Sequence, residues 1–340
     1  MTLKDIALRA GVSISTVSRI INSKDGSFAR KEIRDKVWEI IRETEYVPNQ
    51  TAIDLKQNKN KYNSKDQITF TCILGRTRNL EDNPFFAQVA RAVEQKALSL
   101  GYVVSLSYSV LDIGNAELLK KIETVRTDGA IIIGRFDMRS LKFLKDHYKN
   151  IVYIGRNVID TDLDQVICDG YEAARTALNY LIQCGHKRIG YIGETINEAR
   201  YKAYQNIITE KKLDNDSSLV CSCLQNGAGE YQSVDVLLHK AKPLPTAVFC
   251  ATDVAAIAAI QRFTKAGIRI PQDISVVGMD DIEPAGYISP MLTTVGMPKA
   301  ELGHIAVQTL VNRINKDHKL PMKIFLPYKM SIRESVIKLT

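Results

Sequence analysis

The sequence predicts a small all-α helix-turn-helix domain followed by an α/β region of two doubly wound parallel-sheet subdomains. Three observations support this fold class. Near the N-terminus, apolar residues recur at three- and four-residue spacing around a turn glycine, Gly11. From Thr69 onward, short apolar runs alternate with amphipathic stretches, which is typical of parallel sheets covered by helices on both faces. Between the two parts lies a polar tether, residues 58–65, which indicates a domain boundary.

Composition and charge point to a globular protein with a polyanionic partner at one end. The chain has 340 residues, of which 45% are hydrophobic and 25% charged. These values are ordinary for a protein of two or three globular domains. Of the net charge of +8, the first 65 residues contribute +5, from eight lysines and five arginines against eight acidic residues. This asymmetry favours a nucleic-acid partner for the N-terminal part.

The sequence predicts a cytoplasmic protein with no membrane segment, metal site or cofactor. The chain begins Met1-Thr2-Leu3-Lys4-Asp5, without an apolar signal core, and no apolar run approaches the ~18 residues of a membrane span. The cysteines show no zinc-binding spacing and mostly lie in apolar runs, which indicates buried thiols. They are Cys72, Cys168, Cys184, Cys221, Cys223 and Cys250.

Local spacing defines the predicted helix-turn-helix. One helix is predicted over Leu3 to Ala10 and a second over Ser15 to Asn22, joined by the turn Gly11-Val12-Ser13. The Ser13 hydroxyl can cap the second helix. A third helix, from Lys31 to Thr44, completes the core and offers Trp38 as a packing anchor.

The second helix presents polar residues on the face opposite its apolar side. Arg19 is suited to paired hydrogen bonds with a guanine edge, Ser15 to a base or phosphate contact, and Ile14 to a thymine methyl. A solvated helix face or a contact to phosphate alone is the alternative. The combination of turn glycine, cap and complementary faces favours docking in the major groove of DNA.

A short segment after the third helix has the composition of a hinge. Asn49 to Gln57 is too short for a stable isolated helix but is able to fold against DNA, with Leu55 and Ala52 forming an apolar wedge for the minor groove. Packing between linkers or simple disorder explains the segment equally well. The predicted domains are therefore 1–47 for DNA binding, 48–65 for the hinge and linker, and 66–340 for effector binding and dimerisation.

The larger region is predicted to fold as two subdomains, 66–160 with 291–320 and 161–290 with 321–340. Leu292 to Val295 and the helix Lys299 to Asn315 return to the first subdomain, and the tail beyond Pro321 returns to the second. The resulting three chain crossings form a hinge. Ligands of such sheets bind at the carboxyl ends of the strands, so the sequence predicts a cleft between the subdomains.

Polar and aromatic residues cluster at the predicted strand ends. Carboxylates and a guanidinium in one cleft can hold sugar hydroxyls by directional, charge-assisted hydrogen bonds, and aromatic rings can supply an apolar platform. Helix caps, a salt bridge and core packing are the alternatives for the individual residues. The predicted effector-binding residues are Phe85, Phe86, Asp169, Arg200, Thr252, Asp253 and Asp280.

Four N-terminal motifs resemble the lactose and galactose repressor family (LacI/GalR), and the resemblance extends over essentially the full chain. The motifs are Leu3-Lys4-Asp5-Ile6-Ala7, Ala10-Gly11-Val12-Ser13, Ser15-Thr16-Val17-Ser18-Arg19 and Tyr46-Val47-Pro48-Asn49. The resemblance implies a helix-turn-helix domain on a periplasmic-binding-protein-like core. It places Ile14, Ser15 and Arg19 at base-reading positions and Leu55 at the hinge position that inserts into the operator. The full predicted DNA-binding set is Thr2, Ser13, Ile14, Ser15, Thr16, Ser18, Arg19, Asn22, Asn49, Ala52 and Leu55.

The resemblance also implies a homodimer that binds a palindromic double-stranded operator and a small sugar effector. Arg200 matches an effector-contacting arginine of the family, Asp280 matches the aspartate of the Val-Gly-x-Asp-Asp turn, and Asp169 matches the aspartate that opens a helix. Several stretches are similar to members that repress a β-galactosidase, which favours a galactoside. The same fold sensing a non-sugar metabolite as corepressor is the alternative. A cytoplasmic sugar-binding protein or an enzyme is the less favoured alternative. The dinucleotide, nucleophile-elbow and phosphate-loop motifs of common α/β enzymes are missing from the sequence.

Overall fold

The computed structural model describes residues 3–22, 29–44, 68–75, 83–223 and 228–339 of the chain. The chain divides into two compact units, Met1–Gln67 and Ile68–Thr340. The division lies close to the predicted end of the polar tether at Lys65. Each unit has its own hydrophobic core.

In its described residues, the N-terminal unit consists of helices α1 (Leu3–Ala10), α2 (Ile14–Asn22) and α3 (Lys31–Glu43). Gly11 turns the chain between α1 and α2 with a φ of +71°, a left-handed conformation that glycine adopts at little cost. Apolar side chains at helical spacing from all three helices meet in one core, as the sequence predicts. The buried core residues are Ile6, Ala7, Ala10, Val17, Ile20, Val37 and Ile40.

Trp38 does not anchor this core, so that prediction is wrong. The residue is 42% exposed, whereas Val37 and Ile40 on the same helix are buried. Successive residues of a helix are rotated by about 100°, and the face defined by Val37 and Ile40 leaves Trp38 to one side. Helical phase therefore outweighs the size and apolar character of the side chain.

Ser13 caps α2, and removing its hydroxyl is expected to loosen this helix. The Ser13 Oγ atom accepts a hydrogen bond from the backbone N–H of Thr16 at 3.1 Å. Loss of such a cap costs about 1 kcal/mol, which corresponds to a roughly fivefold change in the opening equilibrium. In Ser13→Ala, hydrogen exchange of the α2 amides should therefore accelerate about fivefold, while amides of the second unit keep their rates. Unchanged exchange in α2 would show that the cap contributes nothing.

The C-terminal unit alternates strands and helices along the chain, which confirms the predicted α/β class. Its strands are β1 (Thr69–Leu74), β2 (Val103–Ser109), β3 (Gly129–Ile133), β4 (Ile151–Gly155), β5 (Asp164–Ile167), β6 (Ile189–Gly193), β7 (Val220–Ser222), β8 (Ala247–Cys250), β9 (Ser275–Asp280), β10 (Thr293–Gly296), β11 (Lys323–Phe325) and β12 (Lys329–Ser331). Its helices are α4 (Pro84–Ser99), α5 (Ala116–Thr124), α6 (Met138–His147), α7 (Gly170–Gln183), α8 (Ala199–Glu210), α9 (Ala228–Lys240), α10 (Asp253–Lys265) and α11 (Lys299–Asn315).

The strands form two sheets, and each sheet with its helices is called a lobe. The first lobe has the strand order β11-β5-β4-β3-β1-β2, and the second has β12-β10-β9-β8-β6-β7. Paired strands are parallel except β12, which runs antiparallel to β10. Inner strands such as β3, with the sequence Gly-Ala-Ile-Ile-Ile, are buried along their whole length because helices cover both faces.

In the described residues, the chain passes between the lobes three times, as predicted. The passages follow β5, β10 and β11, since each of these strands and the element after it belong to different lobes. Two passages touch: the Cys168 Sγ atom lies 3.0 Å from the Met297 Sδ atom. The predicted hinge between the lobes would lie at these three connections.

Three strands lie in a different lobe from the one that the predicted subdomain boundaries give them. β5 and β11 lie in the first lobe, although residues 161–290 and 321–340 are predicted to form the second, and β10 lies in the second lobe rather than the first. The reason is that sheet membership depends on distant partners. Val166 of β5, for example, pairs with Ile154 on one side and Ile324 on the other. Periodicity reports the burial of a short strand but not its neighbours.

Helix α11 returns to the first lobe as predicted and packs closely on α4. Gly303 permits this approach, because a Cβ atom there would lie 2.8 Å from the Val93 nitrogen and 2.9 Å from the Val89 oxygen. All six cysteines are buried within the C-terminal unit. In the parts of the chain described above, no helix combines the length and apolar character needed to cross a bilayer.

Candidate functional site

Helix α2 exposes the three side chains that the sequence predicts to contact bases. Ile14 is 46% exposed, and Ser15 and Arg19 are exposed beside it. Val17 and Ile20, in contrast, are buried against α1 and α3. The helix thus has one packed face and one face available to a partner, which is the arrangement that insertion into a major groove requires.

The other predicted DNA-binding residues divide into two groups. On and beside α2, Ser13 is exposed and Thr16 and Ser18 are partly buried. Ser13 Oγ also lies 2.7 Å from Ser15 Oγ and 2.8 Å from Thr16 Oγ1, so these hydroxyls form one polar group at the start of α2. The rest lie outside the described residues: Thr2, the side chain of Asn22, Asn49, Ala52 and Leu55.

In the C-terminal unit, the carboxyl ends of the two sheets face each other. Arg156 follows β4 of the first lobe, and Asp280 ends β9 of the second. The Arg156 guanidinium donates a hydrogen bond from Nη2 to Asp280 Oδ1 at 2.5 Å. Both side chains are more than nine-tenths buried, at 9% and 4% exposure. The region between these strand ends is called the interlobe cleft.

Arg200 and Glu198 form a second charged group in the cleft. Arg200 lies in the first turn of α8, where its Nε and Nη2 atoms donate to the two Glu198 oxygens at 2.7 and 2.8 Å. Arg135, which follows β3 in the first lobe, donates from Nη2 to Glu198 Oε2 at 2.6 Å. This carboxylate therefore also joins the two lobes.

Phe85 and Phe86 of α4 place an aromatic pair next to these charges. Their ring centroids lie 5.3 Å apart in an edge-to-face arrangement. The guanidinium carbon of Arg156 lies 4.2 Å from the Phe85 centroid and 5.6 Å from the Phe86 centroid. A guanidinium at these distances is attracted by the ring faces. The predicted aromatic platform and the predicted acid Asp280 are thus brought together by Arg156.

The turn after β9 holds Asp280 in an unfavourable backbone conformation. Asp280 has a φ of +123° and Asp281 a φ of +52°, values that residues with a side chain rarely adopt. Lys299 Nζ donates to the backbone oxygens of both residues, at 2.6 and 2.8 Å. Such strain is usually found where a side chain must be held in a fixed functional position.

Three of the predicted effector residues cap or brace local structure. Asp169 Oδ1 accepts hydrogen bonds from the backbone of Tyr171 and caps α7, and Thr252 caps α10. Asp253 is fully buried, and its two carboxylate oxygens accept from Ile282 N and Thr294 Oγ1. Asp169 remains close to the cleft, because Gly170 N donates to the Arg156 oxygen at 2.8 Å.

Sequence reasoning missed three cleft residues, Arg135, Arg156 and Glu198. Arg156 follows the predicted strand Ile151 to Ile154 after one glycine, and Arg135 follows Ala130 to Ile133 in the same way. The rule that selected the other strand-end residues therefore applies to both arginines. Glu198 is two residues from Arg200, so its proximity is also visible in the sequence, but its contact with Arg135 is not.

Comparison with known proteins identifies the family. Residues 2–49 match the model of the lacI family of bacterial regulatory proteins, and residues 178–336 match a periplasmic binding protein-like domain. The ribose operon repressor of Haemophilus influenzae is 32% identical over 351 aligned positions that cover 99% of each chain. This chain belongs to the lacI family. The repressor PurR of Proteus mirabilis is 34% identical, with coverage of 92% of this chain and 90% of the relative.

The solved structure of a transcriptional regulator agrees with the fold. The transcriptional regulator CelR in complex with cellobiose has a TM-score of 0.71 and 27% identity, covering 98% of this chain and 99% of that chain. The predicted combination of a helix-turn-helix domain and a periplasmic-binding-protein-like core is thereby confirmed. The protein is a DNA-binding transcriptional regulator of this family.

Asp253 gives the second lobe of this lacI-family protein a distinctive pH dependence. Burial and then the negative charge of Asp280 raise the pKa of Asp253 from 3.8 to about 7. The folded state therefore binds a proton that the unfolded state has lost, and the free energy of unfolding falls as the pH rises from 3.8 to about 7. Above that range, the contribution of Asp253 to the free energy of unfolding no longer changes with pH.

Asp253→Asn should remove this slope, because the amide does not titrate. We expect the stability difference between wild type and variant to change steadily from pH 4 to pH 7 and then to level off. Urea unfolding at a series of pH values measures this difference. Subtracting the free energy of unfolding of the wild type from that of the variant cancels the contributions of other titrating groups. One of these groups is His186, whose pKa is lowered by burial. A difference that does not vary with pH would contradict the raised pKa.

Proposed function

We propose that this protein is a cytoplasmic homodimeric repressor that binds a palindromic operator through α2 and responds to an uncharged sugar held in the interlobe cleft. Each chain carries one basic helix-turn-helix unit, and two such units related by a twofold axis match two half-sites of a palindrome. On α2, Ile14, Ser15 and Arg19 supply the side chains for base contacts.

One observation supports a sugar as the effector: buried charged side chains from the two lobes contact each other next to an aromatic pair. Arg156 pairs with Asp280 and Arg135 with Glu198, so both of these acids are opposed by an arginine of the other lobe. Pairs of directional donors and acceptors next to a ring suit a ligand with many hydroxyls and apolar C–H faces. The ribose operon repressor and the cellobiose-bound regulator among the relatives support a sugar.

A ligand in this cleft is able to control DNA binding because it touches both lobes. The ion pairs between the lobes break or rearrange when the lobes move about the three connections. A sugar that binds one lobe arrangement better shifts the population toward it, and operator affinity follows if the two arrangements space the DNA-binding units differently. Either sign of response is compatible with this coupling, so the proposal covers both inducer and corepressor.

Gel-shift titration of fragments from the genome that encodes the protein tests the proposal. We expect a specific retarded fragment at moderate salt, and a change in the retarded fraction with one of D-ribose, D-galactose, lactose or cellobiose. The absence of any retarded fragment would contradict operator binding. A specific shift that is indifferent to all four sugars, and to related galactosides, would contradict the sugar assignment alone.

A further inference from the structure

Glu198 occupies the position that an acidic ligand group would take on Arg200. Its two oxygens accept from Nε and Nη2 of Arg200 at 2.7 and 2.8 Å, and Oε2 also accepts from Arg135 at 2.6 Å. The Glu198 side chain is only 2% exposed. A carboxylate that lies across the fork of a guanidinium is the geometry by which arginine recognises carboxylate and phosphate ligands. Here the chain itself supplies that carboxylate.

The remaining contacts of Arg200 are also made within the protein. Its Nη1 atom donates to the backbone oxygen of Ala251, so all three guanidinium nitrogens have a protein acceptor. Burial raises the pKa of Glu198, but the charge of Arg200, its hydrogen bonds and the charge of Arg135 outweigh this and lower the pKa to about 2. Glu198 is therefore ionised at neutral pH, and the positive charge of Arg200 is compensated before any ligand enters.

The second buried arginine of the cleft is compensated in the same way. Arg156 donates from Nη2 to Asp280, while its buried Nε atom has no hydrogen-bond partner. This N–H is a donor available to an uncharged acceptor such as a sugar hydroxyl. Both buried arginines are thus matched by protein carboxylates, which repel a second anion and leave neutral hydrogen-bonding groups favoured.

We propose that Glu198 is the specificity-determining residue of the interlobe cleft: it neutralises Arg200, so that the cleft accepts an uncharged polyhydroxylated ligand and rejects sugars bearing a phosphate or carboxylate. This inference rests on the proposed function, because it takes Arg200 to face the effector. It predicts that the selectivity for neutral ligands resides in one carboxylate rather than in the size of the cleft.

Phosphate binding by Glu198→Gln in the full-length protein tests the proposal. Glutamine keeps the shape of the side chain and removes its charge, which leaves Arg200 uncompensated. With inorganic phosphate as the probe, isothermal titration should show binding that is about tenfold or more tighter than in wild type, since phosphate regains the charge-assisted hydrogen bonds. Adding Arg200→Gln to this variant should abolish the gain, which locates the phosphate on Arg200.

Two control variants separate charge from other effects. Glu198→Asp keeps the carboxylate and should bind phosphate as weakly as wild type. Asp273→Asn removes one acid from the exposed ion pair with Arg269 on the same lobe, and it should also leave phosphate binding unchanged. A gain in Glu198→Asp equal to that in Glu198→Gln, or no gain in Glu198→Gln over Asp273→Asn, would overturn the proposal.

A double variant tests the proposal independently in case Glu198→Gln does not fold. The double variant Glu198→Gln with Arg135→Gln removes one acid and one base together, so the cleft keeps its net charge while Arg200 still lacks its carboxylate. It should show the same gain in phosphate affinity, and a folded double variant without that gain overturns the proposal. Titration of the four neutral sugars into wild type is the separate test of the proposed function, and its outcome does not change how the phosphate result is judged.

Discussion

Arg200→Ala is expected to weaken effector binding roughly 100-fold, because a charge-assisted hydrogen bond contributes about 1.5–3 kcal/mol and the bonds of Arg200 to Glu198 and Ala251 leave further N–H groups of its guanidinium for a ligand. Operator recognition should be retained, since Arg200 belongs to the C-terminal unit. Isothermal titration with the sugar found active in gel shifts measures the first effect, and gel shifts without sugar measure the second.

The same substitution should also lower stability, which must be separated from the loss of binding. Arg200 and Glu198 are 4% and 2% exposed, and removal of one partner from a buried ion pair costs about 3–5 kcal/mol. Titrations therefore belong at a temperature where circular dichroism shows the variant fully folded.

Arg269→Ala is the matched control for Arg200→Ala. It removes an arginine from the second lobe, but the Arg269 side chain is 71% exposed in its pair with Asp273. Exposed pairs contribute about 0–1 kcal/mol, so stability and effector affinity should stay near wild type. If Arg200→Ala binds the sugar as tightly as Arg269→Ala, Arg200 serves only its ion pair and the effector assignment is wrong.

The helix-turn-helix could be predicted from sequence because its determinants are local. Gly11, the cap Ser13 and the buried Val17 lie within seven residues, and each fixes the conformation of its own neighbourhood. The prediction that Trp38 packs in the core was wrong because it considered only the apolar character of the side chain. The other residues of α3 decide which face of the helix is buried, and Trp38 does not lie on that face. Local patterns thus predict which elements form better than which side chains they bury.

The cleft was predicted only in part, because its contacts join distant residues. Arg156 and Asp280 are 124 positions apart, and Arg135 and Glu198 are 63 apart. The strand-end rule located Asp280 and Arg200 but does not state which acids meet which bases. It also selected Asp253, whose oxygens are held by Ile282 N and Thr294 Oγ1. A side chain that braces the turn and one that faces a ligand have the same position in sequence.

Arg19→Ala is expected to abolish most of the preference for operator over random DNA. Arg19 is exposed on α2, and a bidentate contact between arginine and guanine discriminates by about 1–3 kcal/mol. A dimer makes this contact in both half-sites, so the ratio of specific to random affinity should fall by roughly 30-fold to 25,000-fold. Competition gel shifts at fixed salt measure this ratio, while sugar binding should be unchanged.

Arg42→Ala provides the control for charge in the same unit. Arg42 is an exposed arginine in the last turn of α3, where its Nε atom donates to the Trp38 oxygen. Its removal takes away one positive charge, so it is expected to lower affinity for all DNA sequences alike and to leave the specificity ratio at the wild-type value. If Arg19→Ala also weakened operator and random DNA equally, Arg19 would be a phosphate contact, and base recognition would have to lie with Ile14 and Ser15 or with residues outside α2.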